Sequence, residues 1–97
     1  MKTVADLKRR LTVGAVIVLD SYAVRDQLAN HKYLGVPRVV KVSNTVGFAS
    51  TPVDRDAWPN AENSYCDWPK KAEFTPDADG EGFTVAHHQF SMHYKFV

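Results

Sequence analysis

The length and composition of the chain indicate one small globular domain over residues 1–97, with room for a single modest core. A hydrophobic content of 44% and a charged content of 24% are ordinary for folded proteins and exclude a wholly disordered chain. A formal net charge of +1 and an isoelectric point near 7.9 exclude a strong overall field that would attract polyanions.

The cysteine content and the apolar runs bear on location. Cys66 is the only cysteine, so the chain cannot form an internal disulfide and lacks the ligands of a cysteine-based zinc site. No apolar run approaches the ~18 residues of a membrane span. The first residues also lack the apolar stretch of a signal peptide. We therefore expect a cytoplasmic protein that makes no membrane contact.

The first segment predicts a short amphipathic helix over residues 3–11. Thr3 suits the N-cap, and Asp6 suits the first turn, where the helix dipole favours acidic groups. Apolar residues then follow at helical spacing, namely Val4, Leu7 and Leu11. Because so short a helix is marginal alone, we expect it to pack on the rest of the chain.

Residues 15–19 are apolar on both faces, which is typical of a strand that is buried on both sides. One face is expected to line the interior of the β structure. The other face, through Val16 and Val18, is expected to be covered by the helix. Residues 20–36 are polar and irregular and predict a long loop.

The remaining sequence predicts short strands joined by polar turns. In residues 38–43 and 46–48, side chains of different polarity alternate between the two faces of a strand, as in a hairpin. Val40 and Val42 are expected on one face, with a turn at Ser43-Asn44. Residues 51–63 predict a long exposed loop. The later predicted elements are a strand over 64–68, a helical turn over 69–72, a strand from Phe74, a turn over 76–80 and strands over 83–86 and 90–96.

The stretches RVVKVSNTVGF (38–48), YCDWPKKA (65–72) and FTV (83–85) resemble small phage-encoded proteins with SH3-like barrels. The resemblance covers residues 13–97 in the order of their elements. It implies a mainly β (α+β) fold, a small SH3-like β-barrel over 13–97 preceded by a short N-terminal helix. Some of these phage proteins inhibit host enzymes or host defence. The resemblance thus also implies a non-enzymatic inhibitor or regulator that acts on a host protein.

Metal binding is not expected. His87, His88 and His93 are close in sequence, but a zinc site needs three or four ligands in fixed geometry and no patterned cysteine supports them. The run Asp77-x-Asp79-x-Glu81 partly imitates a calcium loop, yet His88 occupies the position that requires a bidentate glutamate. We expect surface or partly buried histidines and a solvated acidic turn.

Catalysis is not expected either. The serines lack a nucleophile-elbow motif, and Gly80-Glu81-Gly82 lacks the rest of a phosphate-binding loop. Cys66 with a histidine could form a nucleophilic dyad, but a single cysteine in a strand is more often a small buried hydrophobe. We expect no enzyme and no cofactor.

Basic residues predict an alternative function. Residues 1–41 carry eight basic and three acidic residues, whereas residues 42–97 carry four and eight. The two halves could neutralise each other when folded. If they do not, a basic surface is expected from Arg9, Arg10, Arg38 and Lys41. The chain would then be a nucleic-acid-binding accessory protein with a small β-barrel.

A protein partner is the leading expectation, with residues 21–37 and 51–63 as the binding surface, because loops carry recognition. These two segments hold aromatic and arginine residues of the types enriched in binding hot spots, namely Tyr22, Arg25, Tyr33, Arg55 and Trp58. Trp58 could also fold back as a lid on the core.

Overall fold

The computed structural model describes residues 3–60, 64–67, 73–86 and 89–97, and for residues 64–67 it describes the backbone alone. These residues form one helix, α1 (Val4–Arg10), and a set of strands. The strands are β1 (Val16–Val24), β2 (Gln27–Leu28), β3 (Pro37–Ser43), β4 (Gly47–Pro52), β5 (Ser64–Asp67), β6 (Glu73–Pro76), β7 (Gly82–Ala86) and β8 (Phe90–Phe96). No helix among them is long and apolar enough to cross a membrane.

The strands form one antiparallel sheet in the order β5-β4-β3-β1-β8-β7-β6, with β2 paired to the end of β1. The last strand, β8, returns to pair with the first along Ile17 to Val24. The sheet curls into a half-barrel, so the prediction of a mainly β fold with one short helix is confirmed, and the order is consistent with a small β-barrel.

The α1 helix forms where the sequence predicts it. The Thr3 side chain accepts a hydrogen bond from the Asp6 amide, and the Asp6 carboxylate accepts one from the Thr3 amide, which completes a capping box. At the other end, the Leu11 amide donates to the Leu7 carbonyl. Both leucines are fully buried.

One cluster of buried side chains unites α1 with six strands. It consists of Leu7, Leu11, Ile17, Leu19, Val40, Phe48, Phe74, Phe83, Val85 and Tyr94. The aromatic members pack ring to ring, with Phe83 5.3 Å from Tyr94 and 6.3 Å from Phe74 between ring centroids. The core therefore lies on the inner face of the curled sheet, and α1 supplies part of it.

The expected position of the helix is wrong. It packs beside β6 and places Leu7 and Leu11 in the same cluster as Ile17 and Leu19, rather than on the outer Val16 and Val18 face. The curled sheet explains the difference, because its inner face offers an apolar space that two leucines can fill. Val16 and Val18 are half-buried, and neither belongs to the cluster that contains Leu7 and Leu11.

Two β-bulges interrupt the alternation of the strands. Asp20 is the extra residue on β1 between the pairs that Leu19 and Ser21 make with β8. Lys41 is the extra residue on β3, so Val40 is buried whereas Val42 is 47% exposed. The expectation that Val40 and Val42 share a face is therefore wrong, since a bulge reverses the side-chain alternation beyond it.

The predicted long loop over residues 20–36 is wrong in its first half. β1 continues through Asp20 to Val24, and Arg25-Asp26 then form a two-residue turn into β2 with φ of 52° and 65°. Two positive φ angles are what a tight β-hairpin needs, although asparagine and glycine are its usual residues. The turn therefore lacks the sequence signal that would have predicted it.

The other predicted strands agree with the structure. The hairpin of β3 and β4 is confirmed, and the Asn44 side chain holds its turn by accepting from the amides of Val46 and Gly47. Strands are also present at 64–67, 73–76, 82–86 and 90–96. Trp68 and the predicted helical turn over 69–72 lie outside the described residues.

Replacing Leu7 by alanine is expected to reduce the free energy of unfolding by about 2–4 kcal/mol, because the fully buried side chain would leave a cavity between α1 and the sheet. Urea unfolding measures the loss. Lys8→Ala is the matched control, since Lys8 is exposed on the same helix and should change stability by less than ~0.5 kcal/mol. A similarly small loss for Leu7→Ala would contradict the packing of α1.

Candidate protein-binding site

A pocket of about 270 Å³ lies between the segment that precedes β3 and the segment that follows β4. Its lining consists of Lys32, Tyr33, Ala57, Trp58, Pro59 and Asn60. Two of the five predicted hot-spot residues, Tyr33 and Trp58, thus meet although 25 positions separate them. We call this the Tyr33–Trp58 pocket.

The backbone around Tyr33 is held by a compact set of hydrogen bonds. The Tyr33 amide donates to His31 Nδ1 at 3.1 Å, and the Val36 amide donates to the Tyr33 carbonyl at 3.1 Å. The Gly35 amide donates to the Leu19 carbonyl of β1 at 2.9 Å, and Gly35 adopts a φ of 80°, a conformation that favours glycine. One wall of the pocket is therefore fixed to the central strand.

Arg38 supports the Tyr33 ring from inside the protein. Its side chain is only 1% exposed, and its Nε and Nη2 donate to the Ser50 hydroxyl and carbonyl at 3.1 and 3.2 Å. The guanidinium carbon lies 5.1 Å from the centroid of the Tyr33 ring, within the range of a cation–π interaction. The ammonium of Lys32 lies at the same distance, 5.1 Å, from this ring. Two cations therefore contact Tyr33, one buried and one exposed.

Trp58 is held in a turn that keeps much of its side chain in solvent. The Asp54 carboxylate accepts from the amides of Asp56 and Ala57, and the Asp54 carbonyl accepts from the Trp58 amide at 3.2 Å. Trp58 is 39% exposed and does not belong to the core cluster. It is therefore a wall of the pocket rather than a lid on the core.

The other predicted hot-spot residues do not line the pocket. Tyr22 is on β1, and its ring contacts His31 and Phe90 at centroid distances of 4.8 and 6.0 Å. Arg25 occupies the tip of the β1–β2 hairpin, where its amide donates to the Gln89 carbonyl. Arg55 donates to the Thr51 hydroxyl at 2.8 Å. Of the five residues, therefore, only Tyr33 and Trp58 line the pocket, and Tyr22 is linked to it through the ring of His31.

The four predicted nucleic-acid-binding residues do not all lie on the surface. Arg38 is buried, so its assignment to a basic face is wrong, because a phosphate cannot reach a buried guanidinium. Arg9 pairs with Asp6, and Arg10 donates to the Gly80 carbonyl at 3.0 Å. Lys41 is exposed at the bulge of β3.

The histidines have separate environments. His31 lies between Tyr22 and Tyr33, and burial together with the charge of Lys32 lowers its pKa. His93 lies between the carboxylates of Asp20 and Asp77. Within the described ranges, no group of three or more His, Cys, Asp and Glu side chains is placed to hold a metal ion. His87 and His88 lie outside those ranges.

Sequence reasoning did not assign to this site Lys32, which lines the pocket, or His31, whose ring lies 5.3 Å from that of Tyr33. Their only signal is adjacency to Tyr33 in a polar segment. Comparisons with protein-family models, with curated proteins and with solved structures find no match to this chain. A function can therefore be inferred only from the structure, and the Tyr33–Trp58 pocket is the feature that supports one.

Ser50→Ala is expected to reduce the free energy of unfolding by about 1–3 kcal/mol, because a buried charged donor, Arg38 Nε, would lose its hydroxyl acceptor. Thermal or urea unfolding measures the change. Thr45→Ala, at an exposed turn position, serves as the control and should cost less than ~0.5 kcal/mol. Equal stability of the two variants would mean that the Arg38–Ser50 bond contributes nothing.

Proposed function

We propose that the chain is a non-enzymatic binding protein that recognises a protein partner through the Tyr33–Trp58 pocket. The observation that carries this proposal is the meeting of a tyrosine and a tryptophan, from two separate segments, around one open pocket. Tyrosine and tryptophan are enriched in binding hot spots because they bury a large area with few rotatable bonds. Trp58 has no core role that would otherwise explain its position.

The lining of the pocket indicates the chemistry of the partner. Tyr33, Trp58 and Pro59 provide apolar walls, and a volume of about 270 Å³ suits one large side chain rather than a groove full of them. Lys32 adds a positive charge at the same opening. The partner that fits this lining presents an apolar or aromatic side chain next to a carboxylate, since the carboxylate would pair with Lys32.

The source of the partner follows from the resemblance to small phage-encoded proteins. On this proposal the chain is a small SH3-like barrel of a phage, and its partner is a host protein that it inhibits or regulates in the host cytoplasm. The antiparallel curled sheet with one short helix supports the architectural part. Nucleic-acid binding is less favoured, because Arg38 is buried and so cannot contribute to a basic surface.

Trp58→Ala is expected to weaken partner binding by about 2 kcal/mol or more and to change the free energy of unfolding by much less, since Trp58 lies outside the core cluster. The test is capture of host proteins on the immobilised chain, identification by mass spectrometry, and then calorimetry with the purified partner. Val46→Ala is the matched control, because Val46 is an exposed apolar residue in another turn.

A partner that the wild type and Val46→Ala retain, but Trp58→Ala loses, supports the proposal. Equal capture by all three proteins contradicts it. Retention of nucleic acid that weakens steeply with salt, with no loss in Trp58→Ala, would instead favour the nucleic-acid-binding function.

A further inference from the structure

His93 of β8 bridges two carboxylates that come from distant parts of the chain. Its Nδ1 lies 2.6 Å from Asp20 Oδ1, and its Nε2 lies 2.7 Å from Asp77 Oδ2. Asp20 is the extra residue of the β1 bulge, and Asp77 begins the turn between β6 and β7. One imidazole ring therefore ties that turn to the central strand of the sheet.

The two short distances together favour a protonated ring. A neutral imidazole carries one N–H and one lone pair, so it donates to a single carboxylate and sets its lone pair against the other. An imidazolium donates at both nitrogens, and hydrogen bonds between ionised groups are the short, strong kind. The side chains of His93, Asp20 and Asp77 are 28%, 40% and 29% exposed, so water screens the three charges only in part.

The charges around His93 are mainly acidic. Strand β7 places Thr84 opposite His93, and its residues 82–86 include no ionisable side chain. The charged groups on the surrounding elements are Asp20 on β1, Asp77, Asp79 and Glu81 in the turn, Lys95 on β8 and Arg10 on α1. Burial alone would lower the pKa of His93. Its hydrogen bonds to Asp20 and Asp77 and their negative charges outweigh burial and hold that pKa above the ordinary 6.5.

The turn that Asp77 anchors is also attached to the helix and to the last strand. The Gly80 carbonyl accepts from Arg10 Nη1 at 3.0 Å, and the Glu81 carbonyl accepts from the Phe96 amide at 2.9 Å. The Arg10 guanidinium lies 4.3 Å from the centroid of the Phe96 ring. A displacement of this turn would therefore break or strain a contact that holds α1.

Gly82 allows the turn to approach this closely. A Cβ at that position would clash with the Tyr94 carbonyl oxygen and would lie 3.1 Å from Asp77 Oδ2 and 3.2 Å from His93 Cε1. The absence of a side chain thus leaves room for the imidazole and the carboxylate to meet.

We propose that His93 is a pH-sensitive latch, which in its protonated form holds the β6–β7 turn against β1 and on losing its proton releases the turn and loosens α1. A group with a raised pKa contributes stability that is complete below the unfolded-state pKa, near 6.5, and disappears as pH rises through the folded-state pKa. The latch is therefore closed in acid and opens on the alkaline side of 6.5.

The first test is an NMR titration of the histidine ring protons from about pH 5 to about pH 9. The resonance that disappears in His93→Gln should titrate above 6.5, and Asp77→Asn should shift it to lower pH. The control is His31→Gln, which removes a histidine whose pKa is lowered and should leave the His93 titration unchanged. Titration of His93 at or below 6.5 would overturn the proposal.

The second test asks whether the turn moves. Amide hydrogen-exchange protection, corrected for the intrinsic effect of pH, should fall about tenfold or more for Asp77 and Gly80 as His93 is titrated. The matched control is the Asn44–Gly47 turn, whose backbone bond of 3.0 Å is remote from His93 in the sheet order. Unchanged protection of Asp77 and Gly80, or an equal loss in both turns, would show that deprotonation does not release the β6–β7 turn. If His93→Gln fails to fold, the hydrogen-exchange readout on the wild type still decides.

Discussion

Leu7 and Leu11 are buried among side chains from six strands, and this contact lets a sheet that has curled only halfway enclose a core. A chain of 97 residues can bury a limited fraction of its surface. A short helix that fills the inner face adds apolar area where an open half-barrel would otherwise admit water. The capping box at Thr3 and the attachment of Arg10 to the β6–β7 turn both keep that helix in place.

The Tyr33–Trp58 pocket also depends on the sheet, through the support of its tyrosine wall. Tyr33 rests on a guanidinium that is buried beneath it, and Arg38 in turn bonds to Ser50 on β4. A buried cation is costly to desolvate, and its hydrogen bonds and the π face of Tyr33 offset part of that cost. The result is an aromatic wall whose support comes from the sheet. That side of the pocket would therefore lose little conformational freedom when a partner binds.

Much of the fold could be predicted from periodicity, because the helix and the later strands follow their local patterns closely. Two of the failures share a physical origin, which is that single inserted residues and an atypical turn leave no periodic signal. The position of α1 depends instead on the curling of the sheet. Lys41 moves Val42 out of the face that Val40 occupies, and Arg25-Asp26 form a tight turn without glycine or asparagine. Of the candidate site, the residue types in Tyr33 and Trp58 were accessible from the sequence. Their meeting in one pocket, and the burial of Arg38, depend on tertiary packing.

The bulge at Asp20 has an evolutionary consequence. One inserted residue gives β1 its local irregularity and also supplies one of the two carboxylates that His93 bridges. Deletion of that codon would leave the strand able to pair regularly with β8 and would remove the carboxylate in the same event. Homologues that differ by this single insertion are thus expected to differ in strand curvature and in proton sensitivity together, so the two traits would be gained or lost as one inherited unit.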